Sequence, residues 1–141
     1  MSLEDFNSLT KKEIASIRRE ISDIIVENGW DAVEGRFGIS IMKRAEELPG
    51  VYCGSYIFRS EVYFLELFSS LKKISNPLPG AYVFYSFTNI RHMKRVGELD
   101  IKHVGMVNED GTVISKWGNG HVFKHPIMCV PCNYGEPEFF E

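Results

Sequence analysis

"IKHVGMVNEDGTVISKWGNGHVFKH", from Ile101 to His125, holds three apolar runs: Ile101 to Asn108, Thr112 to Trp117 and Val122 to His125. Glu109-Asp110-Gly111 and Gly118-Asn119-Gly120 separate them, and such clusters mark turns. Short runs rich in β-branched residues between turns read as strands of an antiparallel meander. If Glu109-Asp110-Gly111 is a three-residue hairpin loop with Gly111 left-handed, Gly105 lies opposite Ser115 and His103 opposite Trp117. His103, Ser115 and Trp117 then share one face. A loop one residue longer or shorter would put Ile114 and Lys116 there instead.

His103 is the anomaly in this stretch. An imidazole in so apolar a strand must find hydrogen-bond partners or be costly to bury. It is either a satisfied core histidine or a general base whose face opens on a polar cleft. In the second reading Gly105 leaves room beside it for a substrate backbone.

Outward from the meander, "NPLPG" at 76–80 precedes another strand, Ala81 to Phe87. The chain before that reads as helical. Thr10 and Glu13 form a capping box, Ile14, Ile17, Ile21, Ile24 and Ile25 fall on one helical face, and Gly29 is a C-terminal stop. A shorter helix is predicted over Ile39 to Glu47, closed by Leu48-Pro49-Gly50. A third is predicted from about Ser60 to Lys73, with Phe64, Leu65, Phe68 and Leu71 inward. Helices first and strands afterwards predict an α+β fold, with N-terminal helices packed on an antiparallel sheet. One domain is expected over 1–141, with a helical part at 10–48 and the core at 50–135. The acidic tail "EPEFFE" reads as a partly ordered terminus whose two Phe side chains seek a groove.

With 44% hydrophobic and 25% charged residues, 141 residues suffice for a core. A net charge of -3 argues against nucleic acid as the main partner, because phosphate binding needs a concentrated basic face. The local cluster "RHMKR" at 91–95 reads as a solvated loop. No apolar run has the length of a membrane span, and no signal-peptide pattern is present. Three cysteines, an odd count, make no disulfide framework and suit a reducing cytoplasm.

Cys53 follows the Pro49-Gly50 break and precedes the predicted third helix. A thiol near a helix N-terminus meets the positive end of the dipole, which raises its thiolate fraction. Buried free cysteines are more often inert. Paired with His103 on a later strand, Cys53 becomes a candidate nucleophile beside a base. Ser115 is then the candidate group holding the imidazole from its other nitrogen, with Asn133 a more distant alternative.

A rival chemistry sits in "HVFKHPIMCVPC". His121, His125, Cys129 and Cys132 follow one another at spacings of four, four and three. These are zinc-ligand types, but zinc fingers place a dozen or more residues between the two pairs. Neither a metal nor a cofactor is expected, and an oxidant would instead join Cys129 to Cys132.

Three segments together resemble a known family. They are Tyr52-Cys53-Gly54-Ser55-Tyr56, Pro79-Gly80 leading into an aromatic strand, and His103-Val104-Gly105-Met106 followed by a turn and a second strand. They look like the NlpC-type cell-wall peptidases, whose fold is papain-like. Ser115-Lys116-Trp117-Gly118, His125-Pro126 and Tyr134-Gly135 are similar to a branch of that group. The resemblance spans about Gly50 to Gly135 and is most specific at His103-Val104-Gly105 and Ser115-Lys116-Trp117-Gly118. It implies a cysteine peptidase or amidase cleaving a peptide-like bond, such as one in a cell-wall stem peptide. Cys53 would be the nucleophile, His103 the base and Ser115 the third polar position, with Tyr52, Tyr56 and Trp117 beside the substrate. Trp117 also suits packing on the sheet. The family's Asp-Cys-Ser-Gly is Tyr52-Cys53-Gly54-Ser55 here, and its Pro-Gly-Asp ends in Ala81. Its third position usually holds His, Asn, Gln or an acid and is Ser115 here, and the altered residues around Cys53 and at Ser115 favour the alternative of a non-catalytic binding module on the same fold. A zinc-stabilised interaction domain stands third.

Overall fold

The computed structural model describes residues 8–49, 51, 71–86 and 101–141. Among them, α1 (Lys11–Asn28) packs against a seven-stranded antiparallel sheet. The strands are β1 (Ser40–Lys43), β2 (Lys73–Ile74), β3 (Tyr82–Ser86), β4 (Ile101–Val107), β5 (Val113–Lys116), β6 (Val122–His125) and β7 (Glu136–Phe140), in spatial order β1-β6-β5-β4-β3-β7-β2. β3 to β6 form the expected meander, so the α+β reading holds. No helix among the described residues is long and apolar enough to cross a membrane.

Local chemistry sets the limits of α1. The Thr10 hydroxyl accepts from the Glu13 N–H and the Glu13 carboxylate from the Thr10 N–H, both at 3.1 Å. Gly29, at φ 87°, ends the helix by donating to the Ile25 carbonyl. Ile21 is fully buried, with Ile17, Ile24 and Ile25 packed beside it against Val83, Val107, Val113 and Phe123. Burial on that scale contributes about 2 kcal/mol per side chain.

The β4–β5 hairpin has the predicted register. Gly111 adopts φ 84° and donates to the Asn108 carbonyl, while the Asn108 N–H reaches Thr112 across the loop. Met106 then pairs with Ile114 and Val107 with Val113. Continuing that register places Gly105 opposite Ser115 and His103 opposite Trp117. A Cβ on Gly105 would meet Val113 Cγ1 at 2.6 Å and Ser115 Cβ at 3.0 Å. The space at Gly105 is therefore filled by β5, which corrects the expectation of room for a substrate backbone.

Three other expectations are corrected. Ser40 to Lys43, read as part of a helix over Ile39 to Glu47, is the edge strand β1, and only Ala45–Glu47 makes a single 3-10 turn. Ile39 and Ile41 alternate along a free edge of β6, and that pairing outweighs a weak helical period. The predicted third helix falls mostly outside the described residues. At its far end, however, Lys73 belongs to a strand.

The acidic tail is also not a loose terminus. It is β7, inserted between β3 and β2 with Tyr82 opposite Phe140 and Val83 opposite Phe139. Two acids and a proline hide its period of two. Phe139 packs into the helix-side core, and Phe140 meets Phe84 edge-on at 5.2 Å on the opposite face.

Both outer edges are blunted against further pairing. On β1, the outward Ile41 N–H is taken by the Glu34 carboxylate, and a bulge follows before Lys43. On the other side, Lys72 and Glu141 exchange both backbone bonds. By alternation, Phe139 and Pro137 also turn their backbone toward β2. Pro137 has no N–H to offer, and β2 ends after Ile74.

Candidate active site

Tyr85 on β3, His103 on β4 and Ser115 on β5 stand on the sheet face that α1 covers. Trp117, just past β5, continues that face. His103 is 1% exposed. Its ring centre lies 4.4 Å from that of Tyr134, the planes tilted by 30°, and 5.5 Å from that of its cross-strand neighbour Tyr85. Burial, with His125 nearby adding to it, holds the imidazole pKa well below the usual range, so it is neutral. Its Nε2 has no hydrogen-bond partner among the described residues.

Ser115 does not hold His103. Its hydroxyl lies 2.7 Å from His125 Nε2 and 3.0 Å from Trp117 Nε1, and no hydrogen bond joins it to His103. The proton positions follow from the partners. His125 Nδ1 faces the Pro126 carbonyl at 2.7 Å and must carry the hydrogen, which leaves Nε2 bare to accept from the Ser115 O–H. Indole N–H only donates, so it fills the other side of the oxygen. Burial lowers the His125 pKa to about 4, and the Pro126 carbonyl opposes that in part. Trp117 is fully buried against Phe123, 4.5 Å between ring centres. That corrects its place beside a substrate: it packs the sheet.

The other sequence candidates fall as follows. Cys53, Tyr52 and Tyr56 lie outside the described residues. Asn133 is exposed at the rim of a surface groove of about 280 Å3, lined also by Ser22, Ile25, Trp30, Cys132 and Tyr134. Its neighbour Tyr134 is the residue that reaches His103.

The four zinc-type side chains stand in separate surroundings. His121 Nε2 donates to Asp31 while its Nδ1 accepts from the Ala45 N–H, and His125 is engaged as above. Cys129 is buried, which pushes its thiol up to about 12 against the pull of Arg18. Cys132 is exposed and bonded to Ser22 on α1. No three His, Cys, Asp or Glu among the described residues converge as a metal site.

Sequence reasoning missed Arg18. Its guanidinium is buried and donates to the carbonyls of Val130, Pro131 and Gly135, at 3.4, 3.2 and 2.6 Å, and to Glu136 at 3.3 Å. It ties the segment carrying Tyr134, and so the lid over His103, to α1. The signal was present, because Arg18 lies four residues after Ile14 and three before Ile21, inside the apolar stripe.

Lys116 and the following turn explain part of the Ser115-Lys116-Trp117-Gly118 motif. Lys116 Nζ donates to the carbonyls of Gly118 and Gly120. A Cβ on Gly120 would come within 2.4 Å of the Trp30 ring.

No family profile, curated protein or solved structure matches the chain.

Proposed function

We propose that the chain is a papain-like cysteine hydrolase acting on an amide or peptide bond, with Cys53 as nucleophile and His103 as base. The observation that carries this reading is the state of His103: a neutral imidazole on a central strand, with Nε2 unclaimed by any described residue. Buried polar atoms almost always have partners, and a catalytic role is one of the explanations for an exception. The NlpC-type resemblance around Cys53 and His103 supports the same assignment.

In this mechanism His103 takes the Cys53 thiol proton and the sulfur attacks the carbonyl carbon. The backbone N–H of Cys53 helps hold the oxyanion. Collapse breaks the C–N bond, and His103 gives its proton to the departing amine, leaving a thioester. Water then attacks the thioester while His103 takes its proton, which passes to the sulfur as the acid leaves. The burial that keeps His103 neutral also weakens it as a base. The thiolate and oxyanion are the charges that offset this, by stabilising the imidazolium beside them. A peptide-like substrate, such as a cell-wall stem peptide, fits the chemistry, and a reducing compartment keeps the thiol available.

Iodoacetamide labelling against pH tests this. Cys53 is expected to react well below the ordinary thiol pKa of about 8.5. His103→Ala should move that reactivity to higher pH, with exposed Cys132 as the internal reference. One shared curve for Cys53 and Cys132, unchanged by His103→Ala, would overturn the assignment.

A second reading, a non-catalytic binding module on the same fold, is favoured by a different observation. Tyr134 covers His103, and Ser115 orients His125 instead of His103. Peptide binding without turnover, in protein whose Cys53 labels ordinarily, would select it.

A further inference from the structure

We propose that Arg18 is a positioning residue for His103, acting through the Tyr134 ring that it holds over the imidazole. Calling His103 a base rests on the hydrolase reading, whereas the geometry of the hold does not.

Tyr134 ends the single 3-10 turn Cys132–Tyr134, and so short a turn supplies little of its own to stay in place. Its Tyr134 N–H donates to the Pro131 carbonyl at 3.2 Å. α1 supplies the rest at two points about one helical turn apart. Arg18 donates to the carbonyls of Val130 and Pro131 before the turn and of Gly135 after it. Ser22 accepts from the Cys132 N–H at 2.9 Å, on the same side of the helix. The guanidinium suits this task because its donors diverge from a rigid plane, so one side chain reaches both ends of the turn. A lysine carries its protons on one atom and would satisfy one end at a time.

What is held there decides the surroundings of His103. Among the described residues, two aromatic rings flank the imidazole, Tyr85 and Tyr134. Tyr85 is fully buried, and its hydroxyl donates to the Ile127 carbonyl at 2.6 Å. Tyr134 is half-buried and lines the surface groove of about 280 Å3, so its ring is the wall between that groove and His103. The titratable groups around the imidazole are Tyr85, Tyr134 and His125, with Arg18 the cation on α1. Burial, aided by His125, keeps His103 neutral, and the Arg18 charge has no part in it. Arg18 therefore acts by placing a ring, not by its field. Without the hold, Tyr134 swings toward the groove and water reaches the imidazole. The base then loses its dry surroundings and a contact that fixes its plane.

Diethyl pyrocarbonate acylates unprotonated imidazole nitrogen, and mass spectrometry locates the modified residues. His125, bonded at both ring nitrogens and fully buried, is the internal reference. In the full chain at neutral pH, both histidines are expected to react slowly in the parent. Arg18→Lys, which keeps the charge, should speed the reaction at His103 about tenfold and leave His125 unchanged. Arg18→Gln makes the same comparison if the lysine variant does not fold. Tyr134→Ala should speed His103 at least as much. Adding Arg18→Lys to Tyr134→Ala should then change the rate by less than about twofold, because the ring through which Arg18 acts is gone. A His103 that stays slow in Arg18→Lys overturns the proposal. Equal rises at His103 and His125 would show a general loosening of the fold, and that too overturns it. Effects that multiply in the double variant would show that Arg18 reaches His103 by another route, with the same consequence. Failure of the hydrolase reading is distinguishable, because it appears in thiol labelling of the parent and of His103→Ala, on which the acylation rates do not depend.

Discussion

Two buried histidines share the helix-covered face of the sheet, and they are treated in opposite ways. His125 is bonded at both nitrogens, to the Ser115 hydroxyl and the Pro126 carbonyl, and Trp117 completes the oxygen between them. His103 lies between the tilted rings of Tyr134 and Tyr85 and has an Nε2 without a described partner. Both are held neutral by burial. Burial alone therefore does not separate a structural histidine from a reactive one. The accounting of donors and acceptors does: His125 is satisfied at both ring nitrogens, whereas no described residue bonds His103 Nε2.

The largest break in that comparison should come from Ser115→Ala. It removes the donor to His125 Nε2 and the acceptor for Trp117 Nε1 in a region closed to water. Two orphaned buried groups at about 1–3 kcal/mol each give an expected loss of about 4 kcal/mol, or roughly 15 °C in Tm for a chain of this size. Urea denaturation measures it. A loss below about 1 kcal/mol would mean that the Trp117–Ser115–His125 chain is not formed in solution.

Acid should act on the same corner somewhat less strongly. His125 has a folded pKa of about 4, against about 6.5 when unfolded, so the unfolded chain binds the extra proton between those values. A depressed histidine pKa contributes stability that is fully present above pH 6.5 and is lost as pH falls toward 4. The contribution is about 3 kcal/mol, and His103 adds in the same direction. Stability measured from pH 7 to pH 4 should therefore fall steadily, and His125→Gln should flatten the slope. A flat profile in the parent protein would mean that the folded and unfolded chains take up protons alike, so that the fold does not hold these rings neutral.

How far each corner could be read in advance follows from what fixes it. The face shared by His103 and Ser115 depends on one local turn, and Asn108 to Thr112 spells that turn: Gly111 takes the left-handed position and the register follows. The bond from Ser115 to His125 depends on the second turn. There Gly118 and Gly120 permit several geometries, and the observed one is set by Lys116 Nζ and the Trp30 ring, the latter from far upstream. Tyr134 reaches His103 because Arg18, across more than a hundred residues of sequence, grips the carbonyls around it. β7 was concealed for a similar reason: Phe139 and Phe140 gain their partners only once β3 lies beside them. Hairpin logic is local and legible. A lid held by a distant guanidinium is not.

The smallest effect on stability should come from the residue with the most to do in the proposed reaction. His103→Leu replaces a neutral ring, whose Nε2 has no partner among the described residues, by an apolar side chain of similar volume. Removing a buried polar atom that no described residue bonds offsets the loss of the ring contact with Tyr134, which is worth about 1 kcal/mol. The net change in unfolding free energy is expected within about 1 kcal/mol of the parent. The same substitution at His125 would strand the Ser115 hydroxyl and the Pro126 carbonyl, so it serves as the matched control and should cost several-fold more. Cys53 labelling provides the second axis. His103→Leu should remove the low-pH reactivity of the thiol while the melt barely moves, whereas His125→Leu should weaken the melt first. A loss of about 3 kcal/mol or more on His103→Leu would mean that Nε2 has a bonded partner in the folded protein. His103 would then be a second structural histidine, and the contrast on which the hydrolase reading stands would disappear.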